Sequence, residues 1–196
     1  MKRHNRVDGL FLFWAVLSLP AAALAVSAPG AGSTEAEATT TDVVLLFAYV
    51  LLALVFSFLC SVAEAVLLSI TPSFIAGKRE VHPRSAALLH KLKQTNVDQS
   101  LAAILTLNTI AHTVGAIGAG AKATVVFGSA WFGLFSALMT LAILFLSEIV
   151  PKTIGALFWR TLATPTAYFV RFLIFSLYPL IWISEMLTKL IARKKD

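Results

Sequence analysis

The sequence predicts an all-α integral membrane protein with three transmembrane helices and additional amphipathic helices beside the membrane. Of its 196 residues, 58% are hydrophobic and only 13% are charged, whereas soluble domains run at about 45–50% apolar and about 25% charged. Three apolar runs are each long enough to cross a bilayer. The basic residues gather between the first and second runs, which gives the crossings a direction.

The chain opens with Lys2, Arg3 and Arg6, an apolar stretch over 10–25, and Ala23-Leu24-Ala25, with Val26-Ser27-Ala28 as a second cleavage pattern. Residues 1–28 therefore read as a secretory signal peptide, with cleavage expected over retention as an anchor. Residues 29–42 (PGAGSTEAEATTTD) are small, polar and acidic. They predict a disordered extracytoplasmic linker, which leaves 43–196 as the membrane domain.

The first span is expected over 43–70, ended by Thr71-Pro72, because proline disfavours helix in the residue before it. The same pair can start a new helix, with Thr71 as cap and Pro72 at the first helical position. Residues 72–99 then carry Lys78, Arg79, Arg84, Lys91 and Lys93 against Glu80 and Asp98. That excess assigns the loop to the cytoplasm. Within it, 83–94 places Leu88, Leu89 and Leu92 on one side, as a helix lying on the inner surface does.

A second span over 100–121 returns outward, joined through a short connection at 123–129 to a third. The third starts near Trp131 and runs inward past Glu148 to Trp159 and Arg160. The tail, 165–196, is apolar enough to suggest a fourth crossing. Arg171 and Pro179 interrupt it, however, and a crossing would place Arg193, Lys194 and Lys195 outside, against the positive-inside tendency. A juxtamembrane helix pair started by Thr164-Pro165 is the expectation. The chain is thus expected to be a multi-pass membrane protein, with its amino terminus outside and its carboxy terminus cytoplasmic.

The net charge of +6 needs no nucleic-acid partner, since basic cytoplasmic loops explain it and no soluble basic domain is present to bind one. The single cysteine, Cys60, allows neither a disulfide within the chain nor a zinc spacing.

Polar residues inside the spans fall on defined faces. Ser57, Ser61 and Glu64 share one face of the first span at 100° per residue. On the second, Asn108, Ala111, His112, Gly115 and Ala119 share a narrow arc. The small residues there make a packing seam for another helix, which does not account for an asparagine and a histidine beside them. At about 1.5 Å per residue, Ser61 lies about 15 Å from the inner end of its span, Asn108 about 12 Å and Glu148 about 18 Å. Three helices thus bring Ser, Asn and Glu to a similar depth, where ionisable groups face a cavity or a partner.

Pro151 follows Glu148 by three residues. It cannot donate to the carbonyl of Ser147 and its ring pushes that carbonyl aside. Such a break is tolerated at membrane depth where the backbone lines a cavity or is buried in protein. Carboxylate, amide, hydroxyl and carbonyl oxygens form a set suited to magnesium or calcium rather than zinc or copper. His112 can orient Asn108 or take up a proton. An intramembrane serine protease is disfavoured, because no G-x-S motif places a serine and no third partner is evident.

The segments SVAEAVLLSITP (61–72), LTLNTIAHTVGA (105–116) and SEIVPKTIGA (147–156) resemble, in order and on successive spans, the transmembrane domain of the CNNM/CorC magnesium transporter family. The likeness covers about residues 43 to 190, and its most specific element is the S/G-E-x-x-P-K pattern. It implies a homodimer of three-span domains with juxtamembrane helices, and Mg2+ held between the helices. It also implies transport rather than enzymatic activity, with export coupled to sodium.

By motif, Ser61, Asn108 and Glu148 match the ion-binding serine, asparagine and glutamate. Backbone carbonyl ligands are implied near Ile104, in addition to the Ser147 carbonyl that Pro151 sets free. Glu64, His112, Gly115, Pro151 and Lys152 take supporting or gating positions, and the role of Glu64 stays open. His112 stands where a polar amide would be expected as readily. Most relatives continue into cytosolic CBS domains, so the partners implied are the bilayer, a second copy and a separate cytosolic regulatory domain or chain. A non-transporting, Mg2+-binding scaffold or sensor subunit is the competing class.

Overall fold

The computed structural model describes residues 38–183 and Met186, and every element in it is helical. The expected signal peptide at 1–28, most of the linker and the basic end of the tail lie outside the described residues. Helix α1 spans Thr40–Ser69, α2 Pro72–Val81 and α3 Pro83–His90, followed by a π-helical turn at Lys91–Thr95. Helix α4 spans Val97–Phe127. A 3-10 turn (Ser129–Trp131), α5 (Phe132–Ala142), a π-helical stretch (Ile143–Ile149) and α6 (Val150–Leu157) then make one long rod, and α7 covers Trp159–Ser176. Among the described residues, Thr40–Ser69, Val97–Phe127 and Ser129–Leu157 are long and apolar enough to cross a membrane.

Local sequence explains the ends and corrects several expectations. The linker ends earlier than 42, because Thr39 and Asp42 cap α1 reciprocally: the Thr39 amide donates to Asp42 Oδ2 at 3.1 Å and the Asp42 amide donates to Thr39 Oγ1 at 3.3 Å. Asp42 is thereby a residue of the first helical turn. Thr71 caps α2 as expected, accepting from the Phe74 amide at 3.4 Å.

The connection expected at 123–129 is mostly helix. Only Gly128 interrupts it, at φ +81°, a backbone conformation open to glycine at little cost. Helix α7 starts at Trp159 rather than at Thr164-Pro165. Phe158 makes the break, and Pro165 sits inside the helix. The pair expected in the tail is otherwise present, since a bend at Leu177 separates α7 from a further helical stretch at 178–183.

The chain divides into two compact units, each drawing on all three long helices. One joins the chain through Val55 to Ile110–Ile143, and the other joins Phe56–Thr109 to the chain from Leu144 onward. The first has a core of Leu46, Tyr49, Ala53, Ala119, Ala123 and Met139. There α1 and α4 run antiparallel and approach closely, since a Cβ on Gly115 would lie 2.5 Å from Ala53 Cβ, and one on Gly118 would collide with the Tyr49 ring. The Ala111–Gly115–Ala119 seam read from the sequence is this contact face. Lys122 Nζ meets Asp42 Oδ1 at 2.9 Å in the same unit.

In the second unit α7 buries Ala163, Thr166, Ala167, Val170 and Leu173, a three-four spacing that makes one apolar stripe. Helix α2 abuts its start, with Phe74 edge-on to Trp159 at 4.9 Å. Lys93 Nζ donates to the Leu68 carbonyl at 3.0 Å, which satisfies one orphan acceptor at the end of α1. Leu89 and Leu92 are buried as the amphipathic reading required, and Leu88 is half-buried.

Candidate cation site

Eight of the residues singled out from the sequence lie in the second unit: Ser61, Glu64, Ile104, Asn108, Ser147, Glu148, Pro151 and Lys152. His112 and Gly115 belong to the first, where Gly115 serves the contact with Ala53.

Helix α1 supplies Ser57 and Ser61, one turn apart and both buried. Their side chains share the face that the helical period assigns them. Helix α4 supplies buried Ile104 and half-buried Asn108. The Asn108 Oδ1 atom is fully buried and has no hydrogen-bond partner. A buried acceptor left in that state costs about 1–3 kcal/mol, so a donor or a cation at this position would offset that cost.

The third rod supplies Ser147, buried, and Glu148, half-buried. Both lie in the π-helical stretch Ile143–Ile149, which the sequence did not announce. The proline predicted a break at 151. The ladder instead widens over the turns before it, and turns of this kind occur often at functional sites. Wider turns shift the angular phase, so a strict 100° count cannot carry the faces of α5 through to Glu148.

Two contacts fix α1 against α6. A Cβ on Gly155 would lie 2.8 Å from both the Val62 carbonyl oxygen and Ala65 Cβ, so the backbones touch here because residue 155 has no side chain. Glu64 Oε2 lies 3.3 Å from Lys152 Nζ, which gives Glu64 the partner that the sequence left open. Ser57, four residues before Ser61 on the same helical face, is a second buried hydroxyl of α1 in this unit.

This arrangement presents hydroxyls, one carboxylate and one unsatisfied amide oxygen. Among the described residues, no three His, Cys, Asp or Glu side chains gather as a metal cluster. The fold defines a polytopic, all-helical membrane domain, with oxygen-bearing side chains of its three long helices buried in the second unit. The chain belongs to the CNNM family: the family model described as the cyclin M transmembrane N-terminal domain matches residues 47–195. It is 34% identical over 143 residues to UPF0053 protein sll1254 of Synechocystis, covering 73% of this chain and 41% of that protein.

A UPF0053 protein of Haemophilus influenzae is 30% identical over 148 residues, covering 74% of this chain and 34% of its own length. The UPF0053 inner membrane protein YfjD of Escherichia coli is 27% identical over 114 residues, covering 56% of this chain and 26% of its own length. The chain thus spans less than half the length of each of these relatives.

Proposed function

We propose that this chain is the membrane domain of a divalent-cation transporter that carries Mg2+ out of the cell across a bacterial inner membrane. The observation that carries the reading is the buried Asn108 Oδ1 without a hydrogen-bond partner. A hard cation prefers oxygen donors, and magnesium gives up its waters reluctantly, so a few protein oxygens beside retained waters suffice. Asn108 Oδ1, the Glu148 carboxylate and the Ser61 hydroxyl are the side-chain ligands in this reading, with backbone oxygens at Ser147 and Ile104. The inner-membrane placement draws on the likeness to the Escherichia coli inner membrane protein YfjD, and the outside amino terminus on the basic loop at 72–99.

In the proposed cycle the ion enters from the cytoplasm, exchanges part of its water for these oxygens, and leaves outward as the rod carrying Glu148 moves about its irregular stretch. Sodium is the proposed coupling ion and a homodimer the proposed assembly. Magnesium flux in proteoliposomes of the purified chain tests the reading, beside Glu148→Gln. The expected result is flux in the parent and loss of flux and of Mg2+ binding in the variant. Equal binding by the two proteins would overturn the site. Binding by the parent without flux would favour a Mg2+-binding scaffold or sensor subunit acting through a partner.

A further inference from the structure

A second polar feature lies away from the buried oxygens, at the end of the second unit where α1 finishes and α4 begins. A cavity of about 690 Å³ runs between α3 with its π-helical turn and α7, and Arg84, Lys91 and Arg171 stand on its walls. Among the described residues, none of these three cations has a carboxylate within ion-pair distance. Leu88, Leu92, Ile174 and Phe175 supply its apolar lining, and Tyr168 and Tyr178 stand beside them. Both tyrosines are exposed, as expected of rings placed at a membrane interface.

We propose that this cavity binds the headgroup of an anionic phospholipid, with the acyl chain along the leucine and phenylalanine side. Three observations select this occupant. Three cations share the walls, and among the described residues no carboxylate lies within ion-pair distance of them, which calls for an anion. The apolar wall is continuous with them, which calls for an amphiphile rather than a free ion. The cavity also opens beside Asn96 and Gln99, at the foot of the membrane-crossing helix α4, within reach of a leaflet. Basic pockets between helices at that level suit phosphodiester headgroups. The chain's own remaining tail is a poor competitor, since 184–196 carries Lys189, Arg193, Lys194 and Lys195 against Glu185 and Asp196.

The test is native mass spectrometry of the full chain in detergent, titrated with phosphatidylglycerol, phosphatidylcholine or inorganic phosphate. The parent should retain phosphatidylglycerol over phosphatidylcholine, and millimolar inorganic phosphate should not displace it. Each cation near the surface is worth about a fivefold change, so Arg84→Gln with Arg171→Gln should weaken phosphatidylglycerol retention about thirtyfold. Lys78→Gln with Arg79→Gln removes the same charge outside the cavity and should change retention less than about threefold. Ala87→Trp keeps every charge while filling the groove, and should also abolish the preference. Loss of equal size in the Lys78/Arg79 control, no preference in the parent, or displacement by inorganic phosphate would each overturn the proposal.

Discussion

The two compact units draw on the same three long helices and differ in what they bury. In the unit holding Leu46, Tyr49 and Ala119, the buried core is apolar or small, and close approach comes from Gly115 and Gly118. In the other, Ser57, Ser61, Ser100, Ser147, Thr166 and Ser176 are all buried. Ser100 uses its hydroxyl locally, donating to the Leu92 and Asn96 carbonyls at 3.0 and 2.9 Å. Asn108 leaves an oxygen without a donor. Close contact holds both, through Gly115 in one and Gly155 in the other, but only the second also keeps a buried amide oxygen unsatisfied, at a cost in stability. A cost of that kind persists where a ligand offsets it.

Filling the first unit's seam should disturb this contrast most severely. Gly115→Leu forces branched carbon into Ala53 backbone and side chain, and should cost about 3 kcal/mol, read as a lower thermal unfolding midpoint in detergent. The matching change in the second unit has the opposite sign. Asn108→Leu removes the unsatisfied oxygen, so without magnesium it should raise stability by about 1 kcal/mol. The same variant should lose the upward shift in midpoint that Mg2+ gives the parent. A destabilised Asn108→Leu that still responds to Mg2+ would mean that the oxygen is not a ligand.

The Glu64–Lys152 pair should matter less, since the Lys152 and Glu64 side chains are 49% and 24% exposed. A double-mutant cycle with Glu64→Gln and Lys152→Gln should give a coupling of about 1 kcal/mol. A much larger coupling would assign the pair to the site itself. Least of all, Gly133→Ala meets nothing within 4 Å. It should leave stability unchanged or raise it by about 0.5 kcal/mol through helix propensity. Paired with Gly115→Leu, it separates the two uses of glycine in these helices.

Much of this was legible beforehand. Apolar length gave the three crossings, because lipid permits no unsatisfied backbone and only a long helix satisfies its own. Thr71-Pro72 and the alanine–glycine seam of α4 were readable because capping and close packing depend on residues near in sequence. The start of α7 was misplaced at Thr164-Pro165. Proline at the seventh helical residue removes one bond, and the packing of Ala163, Thr166 and Ala167 outweighs that loss. The reciprocal Thr39–Asp42 cap has a spacing of three that the polar, acidic composition around it conceals.

Helical class, the number of spans and the residue types at depth are written in the primary structure, since they follow from hydropathy, helical period and local capping. Other features emerge only once the helices pack. Glu64 pairs with Lys152, and Gly155 brings α6 onto the backbone of α1. Asn108 keeps an unpaired oxygen, and the ladder before Pro151 widens. Each of these depends on register between helices distant in the chain, and no periodicity within a single helix encodes that register.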